Sequence, residues 1–286
     1  MATKKSYQRR SNSKRKTKKS WTTRILLFSI SFLVLVIAVF TAYQFRDGVL
    51  YYLGFKTNKN VNALSKEERK IADIRIYEVL SKHPDKVVGF DVSQYQGTIQ
   101  WNEIRKIEDT FQLQFVFVRA TAGKNKVDSQ FKENWKQAKK HQFIRGAYHY
   151  YRPNENSIQQ AENFIQTVQL EPGDFPPVLD IEQLPKKQSL DSLKVGLKRW
   201  LSKVEKHYKV KPIIYSGESY YNDFLKKEFS DYPFWIANYN FWRNQPESHW
   251  LLWQFTEKAQ VSGIKGTVDV NIFNGDLIYL RSKLVY

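Results

Sequence analysis

Cysteine is absent from this chain of 286 residues, and its absence excludes two classes of protein. Without cysteine there is neither a disulfide framework nor a thiolate-bound metal site. The absence does not identify the compartment, because many exported and many cytosolic chains lack cysteine. With 42% hydrophobic and 15% aromatic residues, the chain can nevertheless bury a core, so it is not a disordered protein. Its length favours one large domain or two small ones.

Phosphate-binding glycine loops are also missing. Neither GxGxxG nor GxxxxGK[ST] occurs in the chain, which argues against nucleotide chemistry. The five histidines show no HExxH or similar spacing, so we expect no catalytic metal ion and no cofactor. His149 lies inside a predicted strand and is the histidine that could line a pocket, although a hydrogen-bonded core histidine is an equally good interpretation.

Acidic residues are missing from positions 1–24, which hold ten lysines and arginines. The formal net charge of +18 therefore divides into +10 for this basic tail and +8 for the rest of the chain. A basic stretch beside an apolar segment is typical of a topology signal that stays in the cytoplasm. A site for nucleic acid or anionic lipid is the alternative interpretation. We favour the topology signal and expect no nucleic-acid partner.

Charged residues, proline and glycine are all missing from positions 25–45. As a helix, this run would extend about 31 Å, which matches the hydrocarbon thickness of a bilayer. The run is longer than the apolar core of a cleaved signal peptide. The sequence therefore predicts an uncleaved transmembrane signal anchor, with the basic tail in the cytoplasm and the chain after Arg46 outside it, in a periplasm or a cell wall.

Residues 46–85 form the predicted stalk or linker. Within it, Ser65 and Glu68 have the spacing of a capping box, which satisfies free amides at the start of a helix. We expect a short helix there that either docks on the following domain or acts as a stalk. Its predicted apolar stripe consists of Ile71, Ile74, Tyr77 and Leu80.

From residue 86 to residue 286, short apolar runs alternate with amphipathic stretches. The first five runs begin about thirty residues apart, the length of a strand, a crossover helix and the next strand. Three further runs after about residue 225 follow too closely for full crossover helices. The pattern predicts an α/β fold, a TIM-like barrel of the incomplete type with eight strands and about five helices, with a doubly wound open sheet as the alternative. The predicted strands are 87–93, 115–120, 144–151, 177–182, 212–216, 234–238, 250–255 and 268–273, and the legible helices are 130–141, 157–168 and 191–207.

Carboxylates stand at the ends of three predicted strands. Asp91 closes the first, Asp180 and Glu182 close the fourth and share one face of it, and Asp269 lies near the start of the last. Functional groups of parallel α/β folds collect at the carboxyl ends of the strands. Repulsion and burial raise the pKa of at least one acid in such a cluster, and a retained proton is what glycoside hydrolysis needs at the leaving oxygen. The plainer interpretation is that each acid caps a helix or closes a turn.

Aromatic side chains crowd the same strand ends. Flat rings with polar edges suit stacking on sugars, although for each ring alone a core position is the simpler interpretation. The candidate substrate-binding residues are Tyr95, Tyr148, Tyr150, Trp235, Tyr239 and Trp253, with Phe255 beside them.

Six segments carry a family resemblance. They are, in order, GFDVSQYQG (89–97), FVFVRATAG (115–123), GAYHYYRP (146–153), PPVLDIEQ (176–183), FWIANY (234–239) and WLLWQFTEKAQVSGIKGTVDVNIFNG (250–275). These segments resemble the motifs of the family 25 glycoside hydrolases, lysozymes that cut peptidoglycan between N-acetylmuramic acid and N-acetylglucosamine. The resemblance covers about residues 86 to 280.

The resemblance implies a barrel of eight strands with five helices. It matches Glu182 with the proton donor of the family and Asp180 with the assisting acid beside it, while Asp91 and Asp269 match two further acids of the pocket. It also implies that the 2-acetamido group of the substrate is the nucleophile, which gives net retention of configuration and is an exception to the two-carboxylate scheme.

The sequence therefore predicts a membrane-anchored lysozyme that acts on peptidoglycan glycan strands without a cofactor. The alternative is a non-catalytic peptidoglycan-binding or envelope scaffold protein on the same barrel. Its motivation is that segments 94–95 and 119–122 depart from the residues found in many family members.

Overall fold

The computed structural model describes residues 21–44 and 65–286. The chain divides into two compact units, Met1–Val49 and Leu50–Tyr286. In the first unit, helix α1 extends from Trp21 to Gln44. Most of the predicted basic tail and the first part of the predicted linker lie outside the described residues.

Across residues 21–44 and 65–286, no helix combines the length and the apolar character needed to cross a membrane, so the anchor predicted at 25–45 is not shown.

Within residues 65–286, the second unit contains ten strands and six α-helices. The strands are β1 (Val87–Val92), β2 (Lys106–Ile107), β3 (Phe111–Ala122), β4 (Lys126–Val127), β5 (Ile144–Tyr150), β6 (Val178–Asp180), β7 (Ile213–Gly217), β8 (Phe234–Ala237), β9 (Leu252–Ala259) and β10 (Val268–Phe273). The helices are α2 (Lys66–Ser81), α3 (Phe131–Lys140), α4 (Ser157–Thr167), α5 (Leu190–Tyr208), α6 (Glu218–Tyr220) and α7 (Leu277–Arg281). A π-helical turn, Tyr221–Leu225, continues α6.

Eight of these strands form a closed barrel in the order β1, β3, β5, β6, β7, β8, β9 and β10, and β10 pairs with β1. Neighbours from β1 to β9 are parallel, as the spacing predicts for the five barrel strands from β1 to β7, whereas β10 is antiparallel to both of its neighbours. Residues 260–267 are too few for the crossover that a parallel pair requires, so β9 and β10 form a hairpin. The start of β10 therefore lies at the rim formed by the carboxyl ends of the other strands.

The helices that connect the middle strands agree with the sequence pattern. Helices α3, α4 and α5 begin and end within one residue of the predicted bounds. The connection from β1 to β3 differs, because it contains a 3-10 turn at Gln94–Gln96 and the short strand β2 in place of a crossover helix. Trp101 from this connection packs against Phe90 and Phe143 and covers the wall that a helix would otherwise cover.

The barrel interior is filled by large aromatic side chains. Phe117 stacks on Trp235 with ring centroids 4.5 Å apart. Glycine makes room for these rings, because a Cβ atom on Gly146 would lie 2.2 Å from the Phe117 ring and one on Gly89 would lie 2.3 Å from the Phe115 ring. These rings fill the middle of the barrel, so the polar groups of the interior lie at the carboxyl ends of β1 to β9.

Helix α2 docks on the outside of the barrel. The predicted capping box is confirmed, since the Glu68 amide donates to Ser65 Oγ and the Ser65 amide donates to a Glu68 carboxylate oxygen. The predicted stripe is wrong at Ile74 and Tyr77, which are 43% and 53% exposed. The face that packs on the barrel is rotated toward Ile71, Ala72, Arg75, Ile76, Val79 and Leu80.

Replacing Gly146 with alanine tests the aromatic packing of the interior. We expect the free energy of unfolding to fall by about 1–3 kcal/mol, because the added methyl group would overpack the Phe117 ring. Denaturant unfolding of the purified chain measures the change. Gly217→Ala is the matched control, since its Cβ meets nothing within 4 Å. Equal stability of the two variants would contradict the packing described above.

Candidate active site

The four acids predicted from the sequence meet at one rim of the barrel. Asp91 lies near the end of β1 and pairs across the strands with Asp269, at the start of β10. Asp180 ends β6, and Glu182 follows two residues later. The hairpin between β9 and β10 explains why an acid at the start of a strand joins acids at strand ends.

Asp91 is buried within a set of amide donors. Its Oδ2 accepts hydrogen bonds from Gln254 Nε2 and Asn271 Nδ2, both at 2.8 Å. The carboxyl group also hydrogen-bonds to Asp269. Burial raises the pKa of Asp91 to about 6, although the amide donors oppose the shift. Burial and the neighbouring Asp91 charge also hold the pKa of Asp269 well above its usual range. Two carboxyl groups that hydrogen-bond to each other must share a proton. The pair therefore keeps at least one proton at mildly acidic pH.

Asp180 is the least compensated of the four acids. It is buried, and within residues 65–286 its Oδ1 atom has no hydrogen-bond partner. Burial, with the negative charges of Glu182 and Asp91, raises the pKa of Asp180 well above its usual range, and the positive charge of Arg119 opposes this shift. A buried carboxyl oxygen without a hydrogen-bond partner disfavours the ionised form of the group, in agreement with the raised pKa of Asp180.

Glu182 is the most exposed of the four acids. Its side chain is exposed at the mouth of a cleft of about 530 Å³ that Tyr215 and Tyr239 also line. The cleft walls bury part of the carboxyl group and raise its pKa, the Glu257 charge adds to the rise, and a hydrogen bond with Tyr215 opposes it. The site therefore presents one accessible acid with a raised pKa beside three more enclosed ones.

Two amides of the site were not predicted, Gln254 and Asn271. Their orientation is set by Tyr215, whose hydroxyl donates to Gln254 Oε1 at 2.7 Å, and by Trp235, whose Nε1 donates to Asn271 Oδ1 at 2.9 Å. The signal that could have identified them is an amide side chain directly between two apolar residues, since Gln254 lies between Trp253 and Phe255, and Asn271 lies between Val270 and Ile272. Glu257, whose charge raises the pKa of Glu182, was also missed, because nothing in its local sequence indicates that it faces the acids.

Apart from Tyr95, the predicted aromatic residues divide into two groups. Tyr148, Tyr150 and Tyr239 are partly buried beside the acids, and the negative charges there help to raise the pKa of each hydroxyl beyond the effect of burial. Trp235 and Trp253 are buried, so contact with a substrate is not open to them. Trp253 donates from Nε1 to the Asn238 carbonyl at 2.9 Å, and Trp235 belongs to the interior packing. Phe255 is buried in the core as well.

Tyr95 is 79% exposed at the rim and is held by Arg119. The guanidinium carbon of Arg119 lies 4.7 Å from the centroid of the Tyr95 ring. Arg119 Nε donates to Asp128 Oδ2 at 2.8 Å, and the same oxygen accepts from the backbone N–H of Gln94 at 2.9 Å. The two segments that depart from the family pattern, 94–95 and 119–122, are therefore in contact and support one exposed ring.

His149 is a core histidine and does not line the cleft. Its Nδ1 lies 2.6 Å from Thr121 Oγ1, its Nε2 lies 3.1 Å from Gln160 Oε1, and its ring stacks on Trp200. Burial lowers the pKa of His149 to about 4, so the ring is neutral at ordinary pH. Within residues 21–44 and 65–286, no group of three or more histidines and acids is arranged to hold a metal ion.

A second cavity, of about 670 Å³, opens at the other end of the barrel. Pro176, Ile213, Asn274 and Lys283 are among its lining residues, and no Asp or Glu side chain lines it. The cluster of acids with raised pKa lies at the smaller cleft, where Glu182 is a lining residue. There, a proton can be delivered to a bound ligand while enclosed carboxyl groups stabilise positive charge beside it.

Comparison with known proteins agrees with this geometry. The family model "Glycosyl hydrolases family 25" matches residues 90–264. An uncharacterized protein, YegX of Escherichia coli K12, is 41% identical over 198 residues, which cover 68% of this chain and 72% of the relative. Lysozyme M1 of Streptomyces globisporus is 31% identical over 204 residues, which cover 66% of this chain and 68% of that protein.

Solved structures share the barrel. A family 25 glycosyl hydrolase from Bacillus anthracis aligns with a TM-score of 0.61 at 28% identity, covering 70% of this chain and 94% of that one. A bacterial lysozyme from Streptomyces coelicolor aligns with the same TM-score and identity, covering 68% and 95%. The predicted eight-strand α/β barrel is confirmed. The chain belongs to family 25 of the glycosyl hydrolases and is a glycoside hydrolase.

Proposed function

We propose that this chain is a lysozyme that cleaves the β-1,4 bond between N-acetylmuramic acid and N-acetylglucosamine in peptidoglycan. The observation that carries the proposal is Glu182, an accessible acid of raised pKa at the mouth of a cleft walled by tyrosines. Its relatives include proteins named Lysozyme M1, Autolytic lysozyme and N,O-diacetylmuramidase. The peptidoglycan glycan strand is the substrate and partner of this proposal.

In the proposed reaction, Glu182 gives its proton to the glycosidic oxygen as the bond from that oxygen to the muramic acid C1 breaks. The carbonyl oxygen of the substrate's own 2-acetamido group attacks C1 and forms a cyclic oxazolinium ion. Water then opens the ring at C1 while the Glu182 carboxylate accepts the water proton, so configuration is retained overall. No protein nucleophile is required.

The remaining acids have supporting roles in this proposal. Asp180 is the assisting acid of this proposal, because it is buried beside Glu182 and its charge interacts with that of Glu182. Asp91 and Asp269 share a proton beneath it, and their negative charge stabilises the positive charge that develops at C1. Tyr95, Tyr148, Tyr150 and Tyr239 are the rings available for sugar contacts.

Glu182→Gln tests the proton donor. We expect the release of soluble muropeptides from purified peptidoglycan to fall by about 10²–10⁴-fold, because glutamine holds the same shape without a transferable proton. Glu133→Gln, at an exposed position on α3, is the matched control and should retain full activity. Reducing-end assays of the released fragments measure the change.

Two outcomes would contradict the proposal. Equal release by wild type and Glu182→Gln would show that Glu182 is not the proton donor. If the folded wild-type chain binds peptidoglycan but releases no muropeptides at any pH, the alternative of a non-catalytic binding protein is favoured.

The raised pKa of Asp91 makes stability depend on pH. The folded chain holds this proton up to about pH 6, whereas an unfolded aspartate loses it near 3.8, so the free energy of unfolding falls as pH rises between these values. Asp91→Asn imitates the protonated form and does not titrate. Relative to wild type, the variant should gain about 2.4 kcal/mol between pH 4 and pH 7.

Chemical denaturation at a series of pH values measures this difference. Asp85→Asn, at an exposed position, serves as the control and should follow wild type across the range. A constant difference between wild type and Asp91→Asn would show that Asp91 titrates normally in the folded chain.

We also propose that residues 25–45 anchor the chain in a membrane, with residues 1–24 in the cytoplasm. Residues 46–85 would then link the anchor to the hydrolase domain, 86–286, in the periplasm or cell wall. The uncharged run and the basic tail of the sequence support this arrangement, as do exposed apolar side chains on α1 such as Phe28 and Leu35.

Fractionation of cells tests the anchor. The full chain should stay in the membrane pellet after washes with high salt and with alkaline carbonate, because apolar burial is insensitive to both. A chain that lacks residues 1–45 should be released into the soluble fraction. Release of the full chain by either wash would overturn the proposal.

A further inference from the structure

Helix α2 carries a buried arginine. Arg75 is 1% exposed and lies on the face of the helix that packs on the barrel. A guanidinium group loses its hydration on burial, and this costs free energy unless its donors find acceptors. The acceptors of Arg75 therefore indicate what the helix does.

Three acceptors of Arg75 belong to the connection between β8 and β9, residues 238–251, here called the β8–β9 loop. Arg75 Nη1 donates to Asn244 Oδ1 at 3.0 Å, and Nη2 donates to the Asn240 carbonyl at 3.2 Å and to the Arg243 carbonyl. The guanidinium also lies 5.8 Å from the ring centroid of Phe241. One side chain thus joins four residues of the loop.

The β8–β9 loop is a wall of the active-site cleft. Asn238, Tyr239 and Asn240 line the same cleft as Glu182. The Tyr239 hydroxyl donates to Gln254 Oε1, and Gln254 in turn donates to Asp91. The loop therefore connects the helix on the outside of the barrel with the hydrogen bonds of the buried acids.

A second set of contacts ties the loop to α6. Arg243 Nη2 donates to Glu218 Oε1 at 2.9 Å, and Asn238 Nδ2 donates to the other oxygen of Glu218. The backbone N–H of Asn240 donates to Asn238 Oδ1 at 2.7 Å. Arg75 therefore contacts two residues that help to orient Asn238. Asn240 does so through its backbone N–H, and Arg243 does so through the shared partner Glu218.

Helix α2, at 66–81, lies before the segment that matches the family model, residues 90–264. The loop that Arg75 holds lies inside that segment. This chain therefore supports a wall of the family's cleft with a side chain from outside the matched region.

We propose that Arg75 is a positioning residue that fixes the β8–β9 loop, so that Tyr239 and Asn238 form a closed wall for the substrate. Helix α2 is then a component of the hydrolase and not a spacer. The kinetic part of this inference rests on the proposed function, whereas the ordering of the loop does not depend on it.

Arg75→Met in the full chain tests the inference, because methionine keeps apolar contacts with the barrel but supplies no donor. We expect the KM for solubilised peptidoglycan strands to rise about tenfold while kcat stays within about twofold, since the loop binds substrate and Glu182 is unchanged. Amides of residues 238–244 should exchange hydrogen about tenfold faster. Arg75→Lys, which restores part of the donation, should give intermediate values.

Arg69→Met is the matched control on the same helix. Arg69 donates to Gln260 Oε1 at an exposed position and contacts no residue of the β8–β9 loop through that bond, so its loss should change neither KM nor loop exchange. Asn244→Ala removes one acceptor from the loop side and should speed exchange in the same residues, which keeps the test available if Arg75→Met does not fold.

The inference is overturned if Arg75→Met, or Asn244→Ala where the first variant does not fold, matches Arg69→Met in loop exchange. If the wild-type chain is active, the inference is also overturned when Arg75→Met lowers the melting temperature without raising KM. Absence of hydrolysis by the wild type would reject the proposed function instead. Faster hydrogen exchange at residues 238–244 in Arg75→Met would then still support the conclusion that Arg75 fixes the β8–β9 loop.

Discussion

The close placement of four carboxyl groups at one end of a closed barrel is the constraint on which the rest of the site depends. Their mutual repulsion and burial oppose ionisation, so protons are held by the cluster well above the pH at which free acids lose them. The amides of Gln254 and Asn271 and the charge of Arg119 offset part of this cost. The aromatic interior beneath them is closed to water, and Glu182 is the most exposed of the four acids.

The site combines a rigid part with an adjustable part. Asp91, Asp180 and Asp269 lie on barrel strands and cannot move independently of the sheet. Tyr95 and Tyr239 lie on connecting segments, and each of these is held by an arginine, Arg119 in one case and Arg75 in the other. Both arginines are paired with acceptors on the segment they hold or beside it, so the cleft walls are positioned by charged hydrogen bonds and the acids by the sheet.

Much of the fold could be predicted because strands and crossover helices impose their own periods on the sequence. Helices α3, α4 and α5 and the four acids follow from those periods and from the position of polar residues at strand ends. The antiparallel direction of β10 could not be predicted in the same way, since it depends on whether the chain after β9 has room for a crossover. Ile74 and Tyr77 were misplaced because α2 is polar on most of its surface, and a spacing of three residues does not specify which side meets the barrel.

The sequence by itself determined most of the barrel strands, the three long crossover helices and the four acids, because local hydrophobic period and motif order are properties of the chain alone. Only the tertiary structure decided which rings face the cleft and which fill the core, as Trp235 and Trp253 show by their burial. It also decided that Gln254, Asn271 and Glu257 join the acids, and that Arg75 reaches a loop more than 160 positions away. These relations depend on closure of the barrel, which brings distant residues together, and no local pattern records them.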